Sequence, residues 1–319
     1  MIRSAVTTVS LGAMLAILAT AQSSPFTISN GSSTVHVFPT IIIHTAAPPP
    51  TGPLIYHGGP VMTATNTYAI FWVPPTLQNG KATSMSAAFQ TIQKNVLADY
   101  AGHGIDNNNT QYYQGSTSKK YIQNSGQLAG SFVDTSAYPA SGCSDPATPG
   151  NCITDAQLQT EIERVMTLKG WSGGLGKMFL VFTSSGEGSC MGGTQCAYTS
   201  YCAYHGFFTN SSAQTVIYSN EPYGNTSVCQ KPGTPSPNGN PAADAASSVA
   251  THELTEAITD PLLNAWYDAA LNEIGDLCAY QYGTNTWDSA RANQMWNGHF
   301  YEVQMEYDNH LSGCVQVGP

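Results

Sequence analysis

Eight cysteines, Cys143, Cys152, Cys190, Cys196, Cys202, Cys229, Cys278 and Cys314, follow an apolar N-terminal leader and narrow the folds open to this 319-residue chain. Met1-Ile2-Arg3 makes a short positive start, and residues 5–18 are apolar apart from Ser and Thr. Ala19-Thr20-Ala21 then gives the small-x-small pattern that signal peptidase reads, so residues 1–21 are expected to be a signal peptide. An exported chain meets an oxidising compartment, where an even number of cysteines reads as disulfides. Closure of short loops favours Cys143 with Cys152 and Cys190 with Cys196, leaving Cys202, Cys229, Cys278 and Cys314 for longer links. A thiolate zinc site is the competing use, but the chain has no paired C-x-x-C knuckles. The expected location is extracellular, with the periplasm as the variant.

Charge is sparse. Only 9% of residues are charged, and the net charge is −10. That balance argues against a nucleic-acid partner or an anionic membrane surface, both of which need basic clusters. After the leader no segment approaches about 20 apolar residues, so no membrane association is expected once the leader is cleaved. Apolar residues make up 41% of the chain, enough to build a core.

Residues 22–53 are rich in Ser, Thr and Pro and end in Pro48-Pro49-Pro50-Thr51-Gly52-Pro53, which predicts an extended linker or pro-segment that buries little. Residues 54–319 read as one domain. Residues 68–73 form a β-rich run stopped by Pro74-Pro75, and residues 178–183 and 215–218 are further strands. Phe89, Ile92, Val96 and Leu97 recur at helical spacing. Thr154-Asp-Ala-Gln157 is a capping-box signature for a second helix. A third helix is predicted over 242–259, ended by Asp260-Pro261 because a residue before proline avoids the helical region. The order predicts an α+β fold: a disulfide-stabilised mixed β-sheet packed with helices, whose last long helix carries the chemistry.

That helix contains His252-Glu253-Leu254-Thr255-Glu256. Residues four apart share one helical face, so His252 and Glu256 can meet the same metal ion. Glu253 sits about 100° round the helix, near enough to take a proton from water polarised by that ion. The logic is that of H-E-x-x-H zinc peptidases with glutamate replacing the second histidine, hence a zincin-like helix. A catalytic zinc usually takes a third protein ligand. Asp260 is eight residues on, roughly 12 Å along the axis and too far to share a small ion with His252. Glu273 is the predicted third ligand, with Asp276 three residues later as its support or substitute, a pairing that resembles the glutamate helix of thermolysin-like enzymes. His205 is an alternative ligand, although for both His205 and His299 a structural role is the expectation. Two carboxylates and one imidazole favour zinc while leaving room for calcium or manganese.

Several stretches resemble the Exordium / phosphate-induced protein 1 family. They are Tyr56-His57-Gly58-Gly59-Pro60-Val61, the strand ending in Phe71-Trp72, Cys202-Ala-Tyr-His205-Gly206, and His252-Glu-Leu-Thr-Glu256. Asp260-Pro261, Asn264-Ala-Trp-Tyr267, Glu273-Ile-Gly-Asp-Leu-Cys278 and Cys314 extend the resemblance, which is closest to the bacterial branch of secreted proteins. It implies export and a shared fold more firmly than catalysis. The expected protein is a secreted, monomeric, zinc-dependent endopeptidase acting on extracellular proteins or peptides. Its rivals are a non-catalytic extracellular or cell-wall binding protein with a structural cation, and a metal-dependent hydrolase of another bond.

Overall fold

Strand-forming runs that are apolar at nearly every position, rather than at alternate ones, occupy the middle of the structure. The computed structural model describes residues 27–31, 33–46, 51–287 and 289–319, so the predicted leader lies outside the described residues. Seven strands form the main sheet: β1 (Thr27–Ser29), β2 (Thr34–Pro39), β3 (Thr65–Trp72), β4 (Gly126–Asp134), β5 (Lys177–Thr183), β6 (Tyr201–Thr209) and β7 (Thr215–Glu221). Their order is β1-β2-β6-β7-β5-β3-β4. From β7 to β4 the neighbours are parallel, whereas β6, β2 and β1 join by antiparallel pairing. The fold is α+β with a mixed sheet.

The central parallel strands are covered on both faces, which is why their sequences are continuously apolar. On one face Ala69, Phe71, Met178, Leu180 and Phe182 pack with the helices α1 (Ala87–Asp99) and α3 (Pro241–Thr259). On the other, Ile70, Trp72, Phe179 and Val181 pack with Leu158, Ile162 and Val165 of α2 (Asp155–Lys169). The helix ends follow local chemistry. Ser86 caps α1 by accepting from Phe89 N at 3.0 Å. Thr154 and Gln157 form the reciprocal capping box of α2, which closes at Gly170 in the left-handed conformation, φ 67°.

Helix α3 is buried on every side, from Ala243 to Thr259. Such a helix must be small and must dispose of its polar groups internally. Alanines supply the first condition. For the second, the hydroxyls of Ser247, Thr251, Thr255 and Thr259 each donate to the carbonyl four residues earlier, at 3.0, 3.0, 2.7 and 3.3 Å.

All eight cysteines are paired: Cys143–Cys152, Cys190–Cys196, Cys202–Cys229 and Cys278–Cys314. The two short loops are those that loop closure favours. The two longer links fix the chain close to His205 of β6 and to the loop that follows α3. Among the described residues no helix is long and apolar enough to cross a membrane.

The segment read as a linker that buries little behaves otherwise. Residues 34–39 pair with β6, and Val35, Val37 and Phe38 are almost wholly buried. Thr34-Val-His-Val-Phe alternates with period two, so Val35 and Val37 join the core shared with α2 while His36 and Phe38 face α3. The Ser/Thr/Pro composition of the surrounding residues masked that short alternation. Replacing Val35 and Val37 together by Ala removes four buried methyl groups and is expected to cost roughly 3 kcal/mol at about 0.8 kcal/mol per group. Denaturant unfolding checks this; a free linker would show no change.

Candidate metal centre

The register of β2 against β6 sets His36 directly opposite His205, and their ring centroids lie 5.7 Å apart. Both face α3, where His252, Glu253 and Glu256 are completely buried. After Asp260-Pro261 the chain turns and returns through Asn272 to a single 3-10 turn, Asp276–Cys278, bringing Glu273 and Asp276 against the same face. Gly275 makes that approach possible. A Cβ there would lie 2.5 Å from His252 Nδ1 and 3.0 Å from Glu256 Oε1.

The side chains interlock. His252 Nε2 lies 3.1 Å from Glu256 Oε1 and 4.0 Å from Asp276 Oδ1. His36 spans the two returning acids, with Nε2 at 2.6 Å from Asp276 Oδ2 and Nδ1 at 3.2 Å from Glu273 Oε1. His205 Nδ1 is 3.1 Å from Glu253 Oε2 and 3.6 Å from Glu256 Oε2, while its Nε2 is 3.7 Å from Glu273 Oε2. Outside the cluster, Gln304 Nε2 meets His252 Nδ1 at 2.6 Å and donates to Gly275 O. The backbone N–H of Phe38 donates to Glu253 Oε1 at 3.2 Å, and its ring packs on His252 with centroids 4.3 Å apart.

Five buried atoms of the cluster have no hydrogen-bond partner: His205 Nε2, His252 Nε2, Glu256 Oε2, Glu273 Oε2 and Asp276 Oδ1. Buried polar atoms normally have partners, and leaving one bare costs about 1–3 kcal/mol. Two sets of three donors lie close enough together for a metal ion, His36/Glu256/Asp276 and His205/Glu256/Glu273. Imidazole nitrogens with carboxylate oxygens suit zinc or manganese better than calcium, which prefers all-oxygen surroundings.

Burial dominates the electrostatics. It drives the carboxyls of Glu253, Glu256 and Glu273 well above the usual range, and their mutual proximity adds to the effect. Burial pushes His252 down to about 4 and His205 well down, so both imidazoles are neutral, as a metal ligand must be. Burial also lowers His36, but Asp276 and Glu256 outweigh it and its pKa is raised.

The sequence-derived residues are thus brought together, with three changes. His205, an alternative ligand for which a structural role is the expectation, sits inside the cluster because β6 runs beneath α3. His36, from the supposed linker, joins it too. Asp260 remains at the far end of α3, as its spacing requires, but it lines a cavity of about 120 Å³ together with His36 and Glu273. By contrast His299 is structural, 2.7 Å from Asp99 Oδ2. Gln304 and Phe38 carried no motif by which sequence reading could find them.

Comparison with known proteins finds partial similarities. The resemblance is to Exordium-like proteins. Two such proteins of Arabidopsis thaliana are similar over short stretches: Protein EXORDIUM-like 5, 48% identical over 52 residues, and Protein EXORDIUM-like 3, 46% identical over 68 residues. The alignments cover 15% and 20% of this chain, and the chain spans only 14% and 20% of those relatives' lengths. No protein-family model matches the chain, and no solved structure does.

Two outcomes follow from this geometry. Gly275→Ala forces an extra carbon into the cluster and is expected to cost about 1–3 kcal/mol in denaturant unfolding, as overpacking does; an unchanged midpoint would contradict the close approach. The second concerns pH in metal-free protein. Burial raises the carboxyls of Glu187 and Glu221 to about 8, so the folded chain holds protons there that the unfolded chain has released. Stability from these groups is therefore lost as pH rises toward 8, and His36, being raised, acts in the same sense. His205 and His252 act oppositely, but only below their ordinary value of 6.5. The melting temperature should fall between pH 6.5 and 8; calorimetry in chelator that finds a rise would refute this account.

Proposed function

We propose that this chain is a secreted, metal-dependent hydrolase that cleaves peptide bonds in extracellular proteins, from the bacterial branch of the Exordium-like proteins. The observation that carries the reading is the group of unpartnered, buried imidazole and carboxylate atoms on His205, His252, Glu256 and Glu273, with Glu253 beside them. His252 and Glu256 of the H-E-x-x-E helix, with Glu273 and His205, would hold a zinc ion. A zinc ion supplies Lewis acidity toward water and toward a substrate carbonyl oxygen.

The chain's own residues then divide the remaining work. Glu253 accepts the proton from water at Oε2; while β2 covers the site, the Phe38 N–H holds its other oxygen. His205 Nδ1, 3.1 Å from Oε2, orients that carboxylate. Gln304 contacts Nδ1 of His252 at 2.6 Å, on the side away from Glu256, and Nε2 can bind an ion only with the proton on Nδ1 and the amide oxygen of Gln304 turned to accept it. Phe38 and the β2 strand exclude bulk water. They also cover the cluster, because β2 lies along β6 in the extended antiparallel posture that a peptide would adopt on a sheet edge. Cleavage of a polypeptide therefore requires residues 34–39 to leave β6.

A second reading is favoured by the complete burial of His252, Glu253 and Glu256. In it the cation is structural and the protein is a non-catalytic extracellular binder. The two readings part in one set of measurements. The hydrolase reading expects about one or more zinc ions per chain and chelator-sensitive cleavage of casein. It further expects that cleavage falls at least 100-fold in Glu253→Gln while metal content is retained. Metal-dependent melting with no cleavage, before or after removal of residues 22–46, would leave the structural reading standing alone.

A further inference from the structure

Glu256 belongs to both sets of metal-competent donors, and it is the one residue that they share. Its two oxygens face different ways. Oε1 lies 3.1 Å from His252 Nε2 and accepts the Asp276 N–H at 3.1 Å. Oε2 lies 3.6 Å from His205 Nδ1 and has no hydrogen-bond partner. On the Oε1 side are His252 Nε2 and Asp276 Oδ1, 4.0 Å apart and both unpartnered, with His36 Nε2 against the other oxygen of Asp276. On the Oε2 side are His205 Nε2 and Glu273 Oε2, 3.7 Å apart and both unpartnered.

From this arrangement we infer that the cluster is a dinuclear centre holding two divalent first-row cations bridged by the Glu256 carboxylate. His252, Asp276 and His36 surround one ion, and His205 and Glu273 surround the other. The inference rests on the cation-binding part of the proposed function and adds a second ion to it.

Three considerations carry it. A tetrahedral ion takes four ligands, whereas the two sets together offer five residues and His252 a sixth, so a single ion cannot gather them all. Two ions about 3.5–4 Å apart are what a bridging carboxylate spans. Charge agrees as well. Glu253, Glu256, Glu273 and Asp276 are all buried, and among the described residues no lysine or arginine pairs with any of them. One divalent ion matches two carboxylates and two ions match all four. The position of His36 gives β2 a further role: the strand completes one half of the centre, with Nδ1 also touching Glu273 of the other half at 3.2 Å.

The test is metal stoichiometry on the disulfide-intact chain, titrated with zinc and, separately, with manganese. Two ions per chain are expected. The manganese-loaded protein should give the electron paramagnetic resonance spectrum of an exchange-coupled pair. His36→Ala should weaken one of the two bound ions by at least tenfold and convert the coupled signal into that of an isolated ion. Glu256→Gln should abolish coupling. If these variants fail to fold, the wild-type stoichiometry and spectrum decide alone. A single ion per chain at saturation, with no coupling, overturns the pair and leaves the hydrolase reading intact. Two coupled ions without casein cleavage do the reverse. No bound ion removes both.

Discussion

A carboxylate or imidazole can be sealed inside a protein only if something answers its charge, and this structure places an unusual number of them in one sealed volume. Helix α3 is the reason they are there. It is buried on all sides, so whatever it carries at 252, 253 and 256 becomes interior chemistry. The rest of the architecture is arranged around that fact. Strands β2 and β6 lay two histidines across the helix, the returning loop adds Glu273 and Asp276, and Gly275 leaves the gap through which they approach. Protons can satisfy the cluster, and burial pushes its glutamate carboxyls that way. On the proposed reading a cation would satisfy it better, because it would answer several carboxylates at once and use the bare imidazole nitrogens.

The disulfides make this arrangement tolerable. Cys202–Cys229 holds β6 three residues before His205, and Cys278–Cys314 holds the turn two residues after Asp276. Both restrain segments that carry residues of the cluster. The sparse charge elsewhere fits the same picture. Eleven of the twenty acids fall between Asp244 and Asp308, and five of these, Glu253, Glu256, Asp260, Glu273 and Asp276, lie in the cluster or the cavity beside it.

Much of the fold was legible from the sequence because its signals are local. Apolar runs bounded by Pro or polar residues gave β3 and β5, the Thr154–Gln157 pair opened α2, and Asp260-Pro261 closed α3. The two short disulfides were legible for the same reason, since short loops close most readily. Of the site, the helical pair His252 and Glu256 follows from the 3.6-residue period, and Glu273 with Asp276 from their proximity after the turn. His205 and His36 could not be reached that way. Each is a lone histidine on a strand, and each acquires a role only when two strands distant in sequence are set side by side. The expectation that residues 22–53 bury little fails over residues 34–39, because the Ser/Thr/Pro composition around them outweighed five alternating residues.

The sequence by itself therefore determined the helix that bears the His-Glu motif, the acids that return to it, and the number of cysteines available to fasten them. These depend on periodicity and on neighbours within a few residues. Only the tertiary structure decided which histidines join the cluster, that Glu256 turns its two oxygens toward two different donor sets, and that the whole lies beneath a strand from the N-terminal segment. Those outcomes depend on sheet order and cross-strand register, which arise from packing between segments far apart in the chain.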